Sequence, residues 1–429
     1  MRRFQLFVFA CMFFIPVAGQ ALTLEEGLKI VAETGRDIKI ARSDEEAARN
    51  SVSLARSPWL PQVNVYGNET WLQNQPTARF TNVIAPTAQA QFFTYGVTAN
   101  QLLYDFGKTS SSIDAAKYDL KAREIASQRA RNRSALDFIL AYYDLLEADK
   151  LLQVAAEEVK QYEEHKRDAE LRYSAGVVTK NEVLQAEVTL ADSRQRYLTS
   201  DNLRSLRASR INSLLLRPLN DAVQIEEVKA SPSEGITLEA AWNAAEAQSP
   251  EIQVLDAGIR SKEEAINSTR AEYFPTFYLS GGYQYQENEF QVYPRNWSLI
   301  AGMSFNLFDG GATSARVHIG KSELAALKMT RDKIVDAVRL DVKGAYLNLR
   351  SSAQQIDVTK TAIAQAEENL RLQRLRYQEG VGTALEVLDA VTLLSTSQSN
   401  TWKALYGFAR AEAGLLYSMG GDLMSIYGK

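Results

Sequence analysis

The sequence predicts a chain of mixed α and membrane-β class. Long antiparallel coiled-coil helices accompany four β-strands, two from each half of an internal tandem duplication, and the strands contribute to a barrel shared between chains. Three observations predict this. The second half restates the first, long helical stretches carry a seven-residue apolar repeat, and four short segments alternate apolar with polar residues.

Arg2 and Arg3 precede an apolar run from Phe4 to Ala18, and Gly19-Gln20-Ala21 supplies small residues for cleavage. Residues 1–21 therefore read as a secretory signal peptide rather than a membrane anchor, because the run is short and contains Pro16. Cys11 is the only cysteine of the 429 residues. It lies inside the apolar run and fits a lipoprotein signal poorly, so the cleaved chain has no thiol chemistry and no disulfide. Losing Arg2 and Arg3 takes the formal charge from -4 to -6. A mildly acidic chain of ordinary composition, 45% hydrophobic and 23% charged, argues against nucleic acid as a partner and against disorder.

The duplication shows as matched motifs. Thr23-Leu24-Glu25 recurs as Thr237-Leu238-Glu239, and Trp59-Leu60-Pro61 as Tyr273-Phe274-Pro275, both at an offset of 214. Beyond the strands the offset is 204. Leu103-Tyr104-Asp105 matches Leu307-Phe308-Asp309, Leu171-Arg172-Tyr173 matches Leu375-Arg376-Tyr377, and Glu182-Val183-Leu184 matches Glu386-Val387-Leu388. One ten-residue length change between Gly67 and Leu103 reconciles the offsets.

Each half reads helix, two strands, helix, helix. From Lys108 to Ala175 there is no Gly or Pro, and a helix of that length would span about 100 Å. Phe138, Leu145, Leu152, Val159 and Tyr173 mark its seven-residue core repeat, and Val335, Val342, Leu349, Ile356, Ile363, Leu370 and Tyr377 mark that of the second half. A second seam is small: Ala141, Ala148, Ala155 and Ala169, echoed by Ala345 and Ala366. Such repeats predict left-handed coiled-coil packing with close helix approach. The opening segments are interrupted at Gly35 and at Ser249-Pro250, matching positions that mark helix breaks.

The resulting boundaries are a signal peptide at 1–21, a first repeat at 22–217, a linker at 218–235, a second repeat at 236–420 and a C-terminal tail at 421–429. The first repeat places strands at about 62–72 and 92–103, a long helix at about 107–174 and a return helix at about 179–217. The second places strands at about 276–286 and 296–307, a long helix at about 311–378 and a return helix at about 383–418. Segments 73–91 and 287–295 are expected as loops outside the cell.

The strands carry the membrane reading. Trp297, Leu299, Ala301, Met303 and Phe305 alternate with Ser298, Ile300, Gly302, Ser304 and Asn306, and Phe93, Tyr95, Val97 and Ala99 with Thr94, Gly96, Thr98 and Asn100. Segments of about ten residues, apolar on one face and polar or small on the other, suit a water-filled barrel in lipid. A soluble sandwich would need more strands. Four strands cannot close a barrel, and an open edge in lipid leaves backbone groups unpaired. Several chains must then share one barrel. Three give twelve strands and two give eight, and the residues alone favour neither.

On these features the chain resembles the TolC family of outer-membrane efflux proteins over essentially its whole mature length. The resemblance rests on the duplicated order, on Leu103-Tyr104-Asp105-Phe106-Gly107 with Leu307-Phe308-Asp309-Gly310-Gly311, and on two hairpin tips. The tips read Arg172-Tyr173-Ser174-Ala175-Gly176-Val177-Val178-Thr179 and Arg376-Tyr377-Gln378-Glu379-Gly380-Val381-Gly382-Thr383. The resemblance implies a homotrimer with a twelve-stranded barrel in outer-membrane lipid and a twelve-helix tunnel in the periplasm. It also implies partners: a periplasmic adaptor protein and an inner-membrane pump of RND or ABC type.

Each tip has a local role. Gly176 and Gly380 suit helix C-caps, and Thr179 with Glu182, like Thr383 with Glu386, reads as a capping box. The resemblance adds a second role. In the family the inner hairpins close the periplasmic entrance through side-chain links and acidic rings. Tyr377, Glu386 and Asp389 fall on those positions, and Glu182 on the neighbouring hairpin. The tip residues Gly176, Val177, Thr179, Gly380, Val381 and Thr383 are the expected adaptor contacts. The basic residue that the family usually carries at Gly382 is absent. Asp389 shares a helix face with Glu386, while its counterpart in the first half is Gln185.

No catalytic site, cofactor or metal is expected. His165 and His318 sit in polar helical patterns and read as solvated, and no phosphate loop, metal spacing or cysteine nucleophile is present. The expected function is export of small molecules such as drugs and toxic compounds from the periplasm within a tripartite system. The exit duct of a type I protein secretion system is the alternative in the same class. A periplasmic coiled-coil scaffold without a pore is the alternative from another, and the amphipathic strands argue against it.

Overall fold

The computed structural model describes residues 21–228 and 235–428. The expected signal peptide with Cys11 lies outside the described residues, as do 229–234 of the linker. The two halves repeat one order of elements. In the first, α1 (Leu24–Thr34) and α2 (Arg36–Arg56) precede β1 (Gln62–Trp71), β2 (Thr77–Phe80), β3 (Val83–Pro86), β4 (Gln91–Tyr104), α3 (Lys108–Ser174) and α4 (Lys180–Leu214). In the second, α5 (Leu238–Gln248), α6 (Pro250–Ala271), β5 (Thr276–Gln286), β6 (Arg295–Ser304), α7 (Ala312–Gln378) and α8 (Ala384–Ser418) are followed by the short α9 (Leu423–Tyr427). α3 and α7 have 67 residues each, and α4 and α8 have 35 each. The equal lengths are the duplication expressed as structure. No helix among the described residues is long and apolar enough to cross a membrane.

One compact unit comprises residues 37–131 and 239–341. Its four-stranded antiparallel sheet runs β1-β4-β5-β6, so each half contributes a neighbouring pair and the halves join at β4–β5. Register sorts the side chains by face. Val65, Val97, Tyr283 and Trp297 form one row across the strands, and Val63, Ala99, Gly281 and Leu299 the next. On the opposite face the rows are Asn64, Thr98, Gly282, Ser298 and Tyr66, Gly96, Gln284, Asn296. The apolar face is left uncovered: Val65 is 79% and Trp297 82% accessible, and on the polar face Asn64, Gln284, Asn296 and Ser298 are exposed as well. Gly96 has a local reason, since a Cβ there would stand 2.5 Å from the Tyr283 carbonyl oxygen and 2.7 Å from the Tyr66 hydroxyl lying across it.

Within 73–91, expected as plain loop, β2 and β3 pair as a second small sheet. Thr81 turns the hairpin at φ 58°, and the alternation is too short to stand out from loop composition. Each sheet pair then hands over to a long helix through the same turn. Asp105 Oδ2 accepts the Thr109 amide at 2.8 Å, and Asp309 Oδ2 accepts the Thr313 amide at 2.7 Å. Gly107, Gly310 and Gly311 take positive φ beside them. The matched Asp-Phe-Gly and Asp-Gly-Gly motifs are thus helix starts, with a carboxylate on the orphan amides of the first turn. The Thr313 hydroxyl and amide hold the Asp309 carboxyl below the usual carboxylate range.

The other unit comprises residues 1–36, 132–238 and 342–429, in its described part. Its main core packs Leu28 and Val31 of α1, Phe138, Tyr142 and Leu145 of α3, Ile211 of α4, Tyr406 and Ala413 of α8, and Leu423 of α9. The Tyr142 hydroxyl reaches the carbonyls of Leu22 and Glu226, at 3.0 and 2.7 Å, where Leu22 bridges in parallel to Ile225. In α3 the small seam is buried as expected, while the large-residue line departs from expectation. Ala141, Ala148, Ala155 and Ala169 are buried, and Tyr162 fills the missing step of that line. The expected large-residue line drifts outward, so Tyr173 is 46% exposed while its counterpart Tyr377 is 6%. Close approach along the alanines draws that face of α3 inward.

Candidate entrance site at the hairpin tips

The α3–α4 and α7–α8 hairpins turn through one backbone design. Gly176 and Gly380 both take φ 75°. The Gly176 amide donates to Tyr173 O at 3.0 Å and the Val177 amide to Arg172 O at 2.9 Å. Gly380 repeats this to Tyr377 O at 3.2 Å and Val381 to Arg376 O at 3.0 Å. These paired bonds close the last carbonyls of each long helix and require a residue free to adopt the left-handed region. Val177 and Val381 stand exposed at the two tips.

The helices after the tips start differently. Thr383 and Glu386 form the expected capping box, with Glu386 N to Thr383 Oγ1 at 3.3 Å and Thr383 N to Glu386 Oε2 at 2.8 Å. Thr179 and Glu182 do not: the Thr179 side chain makes no cap hydrogen bond. The Glu182 carboxylate instead faces the Tyr377 hydroxyl at 3.5 Å, so it looks toward the other hairpin. Two acids at equivalent positions thereby take different work, one on its own backbone and one across the hairpins.

Tyr377 is the meeting point. Its ring is buried in a cluster with Tyr162, Leu190, Leu370, Val387, Leu388 and Val391. Arg172 sits 4.5 Å above the ring centroid, donates to the Tyr377 carbonyl at 3.3 Å and is held by Asp168 at 3.0 Å. Burial and then the Glu182 charge push the phenol pKa up, so it stays a protonated donor at neutral pH. Glu386 also lies 3.6 Å from Arg376. Its cap hydrogen bond from Thr383, helped by Arg376, keeps its carboxyl below the usual range. At Gly382 a Cβ would stand 3.0 Å from Arg376 Cβ and 3.1 Å from its backbone carbon. A long side chain there would press on the end of α7, and the cation beside Glu386 comes from Arg376 instead.

The structure thus brings Tyr377 and Glu182 together and leaves Asp389 apart. Asp389 is exposed one turn beyond Glu386 and has no ion-pair partner among the described residues. Sequence reading quoted Arg172 in the tip motif without giving it a role and passed over Asp168, although the two stand four apart on one helix face. It also placed His165 in solvent. His165 is 8% exposed, and its ring lies 5.6 Å from that of Tyr377. The polar residues around it in sequence face outward while it faces α7. His318 is exposed, with Nδ1 at 2.8 Å from Ser314 O. Among the described residues no group of three His, Cys, Asp or Glu could hold a metal ion.

One unit carries an open-edged amphipathic sheet and the other carries paired helical hairpins, the parts of a channel-forming protein. The comparisons agree. The outer membrane efflux protein family matches residues 28–215 and 241–421, one segment in each half, and the chain belongs to that family. Nodulation protein T of Rhizobium leguminosarum bv. trifolii is 23% identical over 398 residues, covering 90% of this chain and 82% of the relative. Cation efflux system protein CusC of Escherichia coli K12 is 22% identical over 406 residues, covering 90% and 84%. The outer membrane protein VceC of Vibrio cholerae superposes with a TM-score of 0.81 at 17% identity, over 93% of this chain and 96% of that one. The family is one of transport channels rather than enzymes, in the outer membrane and extending into the periplasm.

Proposed function

We propose that three copies of this chain form the outer-membrane channel of a tripartite efflux system, passing small molecules from the periplasm to the outside. The observation that carries the reading is the sheet: β1 and β6 are edge strands with an exposed apolar face behind them. Bare edges are excluded in lipid. With four antiparallel strands, β1 and β6 run in opposite directions, so β6 of one copy pairs antiparallel with β1 of the next and the ring closes at twelve. The polar face then lines water and the row from Val65 to Trp297 meets lipid.

The hairpin tips form the periplasmic entrance. Tyr377, held by Arg172 and facing Glu182, latches the α7–α8 hairpin to α3 and α4. Three copies of Asp389, with Glu386 nearby, ring the opening. Gly176, Val177, Thr179, Gly380, Val381 and Thr383 offer the adaptor two exposed valines on rigid turns, and an inner-membrane pump supplies the energy. The cation efflux named for one relative makes cations one candidate cargo beside organic compounds. Export of a secreted protein is the alternative that shares this geometry. Light scattering in detergent tests the reading. A trimer mass is expected, and a stable monomer or dimer would overturn it.

A further inference from the structure

His165 has no part in the latch as described so far, yet it sits against it. Its imidazole is buried, and Nε2 finds no hydrogen-bond partner among the described residues. The ring meets Tyr377 at an interplanar angle of 48°, while Arg172 covers the same tyrosine. The charged and titratable neighbours can be named by element. α3 itself supplies Asp168 and Arg172, and α7 supplies Arg374 and Tyr377. α4 presents Glu182 to Tyr377 and Glu187 to Lys166. α8 presents Leu388 O and Thr392 to the Tyr162 hydroxyl, one turn before His165. Burial and the two arginines outweigh Asp168 and hold the imidazole below the usual histidine range.

We propose that His165 is a positioning residue of the Tyr377 latch and makes it acid-sensitive. The neutral imidazole packs on Tyr377 and keeps α7 against α3. A proton taken from solvent would leave a buried, unpaired cation beside Arg172 and Arg374, and the hairpins separate to hydrate it. The released state therefore binds the proton more readily than the packed one. Packing keeps its full advantage above about pH 6.5 and loses it as the pH falls toward the lowered pKa of the packed state. Within that window each pH unit shifts the packed-to-released ratio by up to about tenfold per chain.

The effect on flow rests on the tips being the entrance, so the test reads packing and flow separately. Hydrogen exchange of segments 158–174 and 370–386, corrected for intrinsic rate, is measured on the full detergent-solubilised chain from pH 7.5 to 5.0. Acid should speed exchange in the wild type as the pH falls below about 6.5, by at most about tenfold per pH unit. It should leave His165→Gln and His165→Phe nearly flat. The phenylalanine variant keeps the apolar packing should glutamine disturb the fold. Asp168, Glu182, Glu386 and Asp389 remain in both variants, so an acid response carried by them would persist. A flat wild type, or an equal response in either folded variant, overturns the proposal. Planar-bilayer conductance on the same samples separates the two readings. Faster exchange with unchanged conductance would uphold the latch and remove the tips as the entrance.

Discussion

Arg172, rather than the Tyr377 hydroxyl, should carry most of the latch. Tyr377→Phe removes one contact, the Glu182 carboxylate at 3.5 Å, which is the outer limit of a hydrogen bond. The ring, its buried packing and the guanidinium above it all remain. The loss is about 0.5 kcal/mol or less, roughly a twofold change in the closed-to-open ratio. Arg172→Ala removes more. The guanidinium over the ring is worth about 0.5–2 kcal/mol. Donation to the Tyr377 carbonyl, at 3.3 Å from a side chain 22% accessible, adds about 1 kcal/mol after allowance for its length and partial solvation. Together these give about 1.5–3 kcal/mol per chain, or about 10- to 150-fold. Single-channel recording in planar bilayers gives open probability directly, and uptake of a bulky, normally excluded antibiotic gives it in cells. Arg172→Ala should leak and Tyr377→Phe should stay within about twofold of the wild type. Opening by Tyr377→Phe equal to that by Arg172→Ala would refute the assignment.

Asp389→Asn keeps shape and removes charge, so bilayer recordings should show weaker cation selectivity and weaker block by trivalent cations from the periplasmic side; unchanged values would return Asp389 to a solvated surface. Gly27→Ala places a Cβ 2.0 Å from the Phe138 ring, which is fully buried. It should cost about 1–3 kcal/mol by overpacking, read as a lower melting temperature in helical circular dichroism. Cysteines at Ile84 and Val292 should react with an impermeant thiol reagent on whole cells, and labelling only after permeabilisation would reverse the orientation of the sheet.

Much of the fold was legible because it rests on periodicity, which sequence carries openly. Alternation marked β4 and β6, and the matched halves announced the duplicated order. Features set by helix-to-helix contact were not legible. Tyr162 interrupts a line of alanines and reads as an outlier until α3 is seen buried along that line. Tyr173 and Tyr377 share a motif, yet only one is covered, because their hairpins have different neighbours. Thr179 and Glu182 have capping-box spacing, but the Glu182 carboxylate has a tyrosine within reach across the hairpins. His165 lies among charged residues, and no local signal tells that one position of the turn points at α7.

The order β1-β4-β5-β6 sets the two halves side by side in one sheet, each with its own hairpin of helices. Six unfused half-chains could close the same ring, but every tip would then be identical and would have to open or hold in unison. Joining two halves in one gene product frees alternate tips to diverge. Gln185 against Asp389, and Glu182 turned outward to its neighbour against Glu386 turned back on its own helix, are that divergence. In the proposed trimer one set of three tips is free to serve as a fixed frame while the other three move, a division of labour that a sixfold-symmetric ring has no means to encode.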